Sequence, residues 1–193
     1  LFAHVWTAQS AAKLLLKLAE AEQSSLLPLI DDAFDHWHEH EEPYPKRGGA
    51  IPESPRADLA KARLVIEGPD YERAKAHLSD QRSDVSDVGK SALVKLIEAE
   101  DDAFASFIAD IEEDRLDAPI LSFVLSKLDS LPAGKVDRVV SLLDHGAEEI
   151  RFAAMAILDR KYLDADEIRK HLTVMQADSS EDIRERALSG LIG

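Results

Sequence analysis

Four apolar stripes recur in the C-terminal two thirds of the chain. Each has the i, i+4, i+8 spacing that puts three side chains on one side of a helix. They are Val88–Ala92–Leu96, Ile120–Val124–Leu128, Ile150–Ala154–Leu158 and Ile183–Ala187–Leu191. Successive stripes begin 32, 30 and 33 residues apart. A period of about 30–35 residues, with two short helices in each unit, is the pattern of an α-solenoid. Such stacks present an extended surface that suits macromolecular partners.

The same periodicity predicts helices over 7–21, 24–40, 57–66, 70–79, 84–99, 101–113, 118–129, 134–144, 147–160, 164–176 and 181–192. Thr7 and Ser24 or Ser25 are candidate caps, and Pro28 falls in a first turn, where its missing N–H is tolerated. Asp164 with Glu167, and Ser179 with Asp182, have capping-box spacing. Gly146 stands where a left-handed C-cap is expected. No window alternates with period two, so no sheet is expected. Residues 41–56 (EEPYPKRGGAIPESPR) hold four prolines and two adjacent glycines, which break regular structure. The chain therefore reads as a helix pair (1–42), a Pro/Gly-rich loop (43–56) and a repeat array (57–193, most regular from 83), together forming one continuous domain.

The units EEIRFAAMAIL (148–158) and EDIRERALSGL (181–191) resemble HEAT-like repeats, in particular the short bacterial form seen in phycobilisome-lyase-type proteins. The shared phrase is acidic–hydrophobic–Arg–x–x–Ala–x–x–x–Leu. It is carried by Glu149, Ile150, Arg151, Ala154 and Leu158, and by Asp182, Ile183, Arg184, Ala187 and Leu191. The unit at Val88 has Gly89 in place of the arginine, and the unit at Ile120 departs further through Pro119 and Leu121. The resemblance implies an all-α, right-handed superhelix of five to six helix pairs. It implies no reaction, because this scaffold serves many tasks. Alanine at the central position allows close helix packing. Arg151 and Arg184 are placed either to pair with an acid of a neighbouring unit or to extend into water.

Composition narrows the function. The chain has 193 residues, 45% of them hydrophobic and 32% charged, which is a globular balance. No apolar run reaches the roughly 18 residues needed to span a bilayer. Residues 1–10 lack a basic stretch followed by an apolar run, so no secretory signal is read there. The chain opens Leu-Phe-Ala, as a processed or trimmed piece of a longer protein would. There is no cysteine, which excludes disulfides, thiolate nucleophiles and Cys-ligated metals and fits a cytoplasmic location. The net charge is −15, and the only adjacent basic pairs are Lys46-Arg47, Arg160-Lys161 and Arg169-Lys170. That argues against nucleic acid, whose phosphates demand clustered cations. Residues 101–150 carry twelve acids and four bases, a field that attracts a basic partner.

Three constellations are candidates for chemistry. In DDAFDHWHEHEE (31–42), Asp32, His36 and His40 share one helical stripe, the spacing of a divalent-metal ligand set. The plain alternative is a solvated last turn, where protonated imidazoles meet the carbonyl end of the helix. The acidic segment 98–117 offers Asp101, Asp102, Asp110, Glu112, Glu113 and Asp114 as a docking surface for a basic protein. Its acids flank the apolar stripe, with no sign of burial. The loop 43–56 carries Tyr44, Lys46, Arg47, Ser54 and Arg56; Ser54-Pro55 matches a kinase acceptor, and Gly48-Gly49 lacks the phosphate-loop pattern. Trp6 and Trp37 read as core residues.

The expected function is a non-catalytic protein-binding scaffold with an acidic surface, no cofactor, a basic protein partner and no membrane. Its concave face would be lined by the second helix of each pair. A specialised form is an inhibitor or immunity-type protein that covers a basic toxin. The alternatives are a metal-dependent hydrolase built on the 32–40 cluster, or a lyase-like enzyme by analogy with the phycobilisome relatives. DNA binding, as in alkylpurine glycosylases on a HEAT scaffold, is opposed by the charge.

Overall fold

The computed structural model describes residues 5–21, 24–40, 53–131, 134–161 and 165–192. Among these there are eleven α-helices, two 3-10 turns and no strand. The helices are α1 (Val5–Glu20), α2 (Leu27–His40), α3 (Pro55–Glu67), α4 (Tyr71–Lys75), α5 (Ser83–Ala99), α6 (Asp101–Glu112), α7 (Ala118–Lys127), α8 (Val136–Ser141), α9 (Glu148–Lys161), α10 (Ala165–Met175) and α11 (Glu181–Ile192). No helix among the described residues is long and apolar enough to cross a membrane. Tyr44, Lys46, Arg47, Gly48, Gly49 and Asp164 lie outside the described residues, as does the side chain of Trp6.

The chain forms two compact units, Leu1–Leu93 and Val94–Gly193. In the first, α3 packs on both α1 and α2. Ala12, Leu15, Ile30, Ala33, Leu59 and Ala62 form one buried cluster, in which the alanines let the helix backbones approach. A second cluster joins Ala57, Ala60 and Leu64 of α3 to Val85 and Val88 of α5. Trp37 is buried, as the sequence predicts. In the second unit α7 packs along α9, and α10 packs on α11. Phe104 and Phe107 of α6 are the largest fully buried side chains.

Three helices enter in the same way. In each case a residue three positions before the helix accepts a hydrogen bond from the backbone N–H two residues on. Asp80 Oδ1 accepts from Arg82, His145 Nδ1 from Ala147, and Asp178 Oδ1 from Ser180. Counted from these residues, Val85, Ile150 and Ile183 hold equivalent places, and all three are fully buried. The most enclosed stripe of α5 is therefore Val85–Gly89–Leu93, while Val88 and Leu96 of the expected stripe are buried as well. Ala92 is only half-buried. The small central residue matters most here, because a Cβ on Gly89 would lie 2.6 Å from the Ala74 carbonyl oxygen. In α7 the inward residues are Leu121, Val124 and Leu125, whereas Ile120 is half-buried.

Three local expectations change for identifiable reasons. The cap of α11 is Ser180, whose Oγ accepts from the Ile183 N–H, so Ser179 is not the capping residue. Gly146 is not left-handed; among the described residues positive φ occurs at Gly68, Gly134 and Asp114. Thr7 lies inside α1 rather than at its start.

Candidate functional site

The densest polar cluster of the first unit lies where the chain re-enters helix at α3. Ser54 caps that helix, its buried Oγ accepting from the Arg56 N–H at 3.1 Å. Pro55 at the first helical position has no N–H to satisfy. Arg56 then turns inward and donates two bonds to Asp80, at 2.6 and 3.0 Å, with side chains only 5% and 9% exposed. Its Nη1 also lies 3.0 Å from His38 Nδ1. A guanidinium has only donors, so that nitrogen of His38 accepts and carries no proton. The cation sits 5.4 Å from the centre of the Phe34 ring, and the His77 ring lies tilted against the same phenylalanine with centroids 5.5 Å apart. Beside this node Asp84 accepts from the Ser54 N–H and from Arg82. Helices α2, α3 and α5 and the turn after α4 are thus tied by charge-assisted bonds. Ser54 is wholly buried, so the Ser-Pro acceptor reading fails in this fold.

The ionisation of the cluster follows from its burial. Desolvation, with Arg63 and Arg56 nearby, holds His77 below its ordinary 6.5. Burial would raise Asp84, but the hydrogen bonds from Arg82 and the Ser54 N–H outweigh it and hold the carboxyl below 3.8. Asp178 is likewise held down, first by its bonds from Arg151. Stability should therefore fall in two stages on acidification. Between 6.5 and the folded value of His77 the unfolded chain takes the extra proton, so stability declines as pH drops through that window. Below 3.8 it declines again as Asp84 and Asp178 protonate. Asp31 acts in the opposite sense, because burial raises its pKa and protonation relieves the folded state. Urea midpoints between pH 8 and 3 measure this. His77→Asn should flatten the first stage, and curves that coincide between pH 7 and 5 would refute it.

The stripe read as a metal set does not converge. His36 and His40 stack nearly face to face, with centroids 4.3 Å apart and planes 18° apart. His40 Nδ1 lies 2.8 Å from the His36 carbonyl oxygen. Among the described residues no group of three or more His, Asp or Glu side chains is arranged to hold a metal ion, and Asp32 with His36 and His40 is no exception. The acid of this helix with an enclosed oxygen is instead Asp31, whose side chain is otherwise partly exposed. Its Oδ1 has no hydrogen-bond partner, although Arg63 Nε stands 3.4 Å away. Arg63, Arg73 and His77 border a nearby cavity of about 290 Å³. Both arginines are already paired with Glu67.

In the second unit the arginines of the repeat phrase make matching bonds. Arg151 Nη1 donates to the carbonyls of His145 and Gly146, and Arg184 Nη1 to those of Asp178 and Ser179. These carbonyls lie six and five residues before each arginine, and the two arginines are 33 residues apart. Arg151 also pairs with Asp178 through two bonds of 2.8 and 2.7 Å, with side chains 9% and 8% exposed. Of the two readings open for these arginines, Arg151 takes the first, pairing with an acid just before the next phrase, while Arg184 serves the loop before its own helix.

Three acids of the acidic segment are held by arginines, Asp110 and Glu113 by Arg115 and Glu112 by Arg138. Asp110 was expected to face solvent; its side chain is 1% exposed and bonded at 3.1 Å to Arg115, which the chain reversal after α6 brings back over it. A buried carboxylate cannot meet a partner, so Asp110 leaves the docking set. Glu113 also binds Arg115, and Glu112 takes two bonds from Arg138 at 2.9 and 3.0 Å. Asp114 is exposed at positive φ, 3.8 Å from His145. Asp101 and Asp102 occupy the first turn of α6, where carboxylates complement the helix dipole.

The sequence reading missed the Arg56–Asp80 node, because its partners are far apart in the chain. It also missed that Phe123 and Phe152 are exposed, each at 40%. Compared with protein-family models, with curated proteins and with solved structures, the chain matches none of them.

Proposed function

We propose that the chain is a non-catalytic binding protein, a stack of HEAT-like helix pairs whose acidic surface receives a basic protein partner. The observation that carries this reading is the recurring entry of α9 and α11. Arg151 and Arg184 make the same pair of carbonyl bonds 33 residues apart, each above a buried Ile and Ala. Units that repeat their backbone bonding in this way add surface in register, and recognition is the general use of such a surface. The charge of −15 selects the partner's sign. In the buried nodes described above, arginine and aspartate hold one another, an arrangement suited to fixing helices in place.

The test is affinity capture from the native source, with the full chain as bait and elution by increasing salt. A specifically retained protein of basic pI should be released as salt rises from about 0.1 to 1 M, because screening shortens the reach of the field. Recovery of only acidic partners, or of partners held independently of salt, would refute the electrostatic part of the reading.

A further inference from the structure

We infer that the solvent-facing side of α7, α9 and α11 is a docking surface for a basic, amphipathic helical segment of another protein. This rests on the protein-binding reading above and names the surface that would do the binding. It begins with two phenylalanines in one register. Leu121-Ser122-Phe123-Val124-Leu125 and Ile150-Arg151-Phe152-Ala153-Ala154 follow the same course, with the first, fourth and fifth residues buried and the aromatic third residue exposed. Their helices pack directly on each other. In α5 and α11 the equivalent outward place is filled by Asp87 and Glu185. An outward position that is acidic elsewhere has thus become aromatic on two adjoining helices. Single exposed apolar residues are ordinary, but this pair is not scattered. Leu188, 46% exposed and one turn beyond Glu185, adds an apolar place on α11.

The surrounding charge identifies the occupant. Among the described side chains, Asp117, Glu148, Glu149, Asp182 and Glu185 are exposed on or just before these same helices, against the exposed cations Lys127 and Arg186. The Phe123 ring already takes an ammonium group on its face, since Lys127 Nζ lies 5.3 Å from its centre. The surface therefore offers what an amphipathic basic helix presents in return. Aromatic rings meet its apolar stripe, acids meet its lysines or arginines, and ring faces accept further cations. The segment containing Asp110, Glu112 and Glu113 offers less, because its carboxylates already hold Arg115 and Arg138.

The probe is a fluorescein-labelled peptide of about five helical turns, with leucine on one face and lysine on the other. A peptide with glutamate in place of every lysine is the control. Binding to the full chain is followed by anisotropy. The lysine peptide should bind at micromolar concentration, and its affinity should fall about tenfold or more between about 0.05 and 0.5 M salt. The double variant Phe123→Ser/Phe152→Ser should weaken it about tenfold, in keeping with the loss of central aromatic anchors. Glu149→Lys/Glu185→Lys should weaken it at low salt and remove most of the salt dependence. All four positions are exposed, and circular dichroism should show unchanged helix. Undiminished binding to the phenylalanine variant would overturn this surface while leaving the protein-binding reading standing. Equal binding of the glutamate peptide, or no binding of the lysine peptide, would also overturn it. The broader reading fails separately, if native-source capture yields no basic partner.

Discussion

Arg56→Met lowers the stability of the first unit by about 3–5 kcal/mol, the usual consequence of removing one member of a buried ion pair. The loss comes from Asp80, whose side chain is 9% exposed in the pair and which would lose both guanidinium bonds while keeping that from the Arg82 N–H. Lost packing over Phe34 adds to it. Arg56→Lys should restore little, since an ammonium group cannot supply two parallel bonds and a third to His38 at once. Replacing both partners, as in Arg56→Met/Asp80→Leu, should recover much of the loss, because no charge is then left buried. Trp6 and Trp37 are the only tryptophans and both belong to the first unit, so their fluorescence in a urea titration reads this transition selectively. A loss below about 1 kcal/mol for the single variant would match an exposed pair instead, and the buried node would be wrong.

Arg151→Ala and Arg184→Ala should differ sharply although the two residues occupy the same place in the repeat phrase. The first leaves a buried carboxylate on Asp178 and two loop carbonyls without their donor, a loss of about 3–5 kcal/mol. The second removes a half-buried side chain from two carbonyls that water can reach, a loss of about 1 kcal/mol. The bonds from Arg151 also hold the Asp178 carboxyl below its usual value, so the gap between the variants should narrow as pH falls below 3.8. Amide hydrogen exchange across 148–192 reports both effects at the helices concerned. Equal losses would mean that Asp178 contributes nothing beyond the carbonyl bonds.

Both contrasts bear on what a linear reading can reach. The helices were legible because apolar spacing, proline and glycine act locally; α6, α7, α9 and α11 begin within a residue of their predicted starts. The stripe of α9 was legible in register as well, since Ile150, Ala154 and Leu158 are all buried. That of α5 was not. Val85, Val88, Leu93, Leu96 and Ile97 make an apolar band wider than one stripe, and spacing alone cannot choose its centre. The choice came from Gly89, where a neighbouring backbone leaves no room for a side chain. Similarly, the acids of 98–117 look alike in one dimension, yet Asp110 is enclosed because Arg115 folds back to it.

Helical content, segment boundaries, the alanine-spaced units and the sign of the surface follow from local order and composition, since turns of helix and net charge depend on near neighbours or on none. Which distant acid holds which arginine, and which loops are tied together, depend on residues brought together from 24 to 34 positions apart, as Arg56 with Asp80, Arg151 with Asp178 and His145 with the Ile111 carbonyl. Those choices were made by packing, because the environment that makes a side chain a tie or a docking point is built by segments distant in the chain.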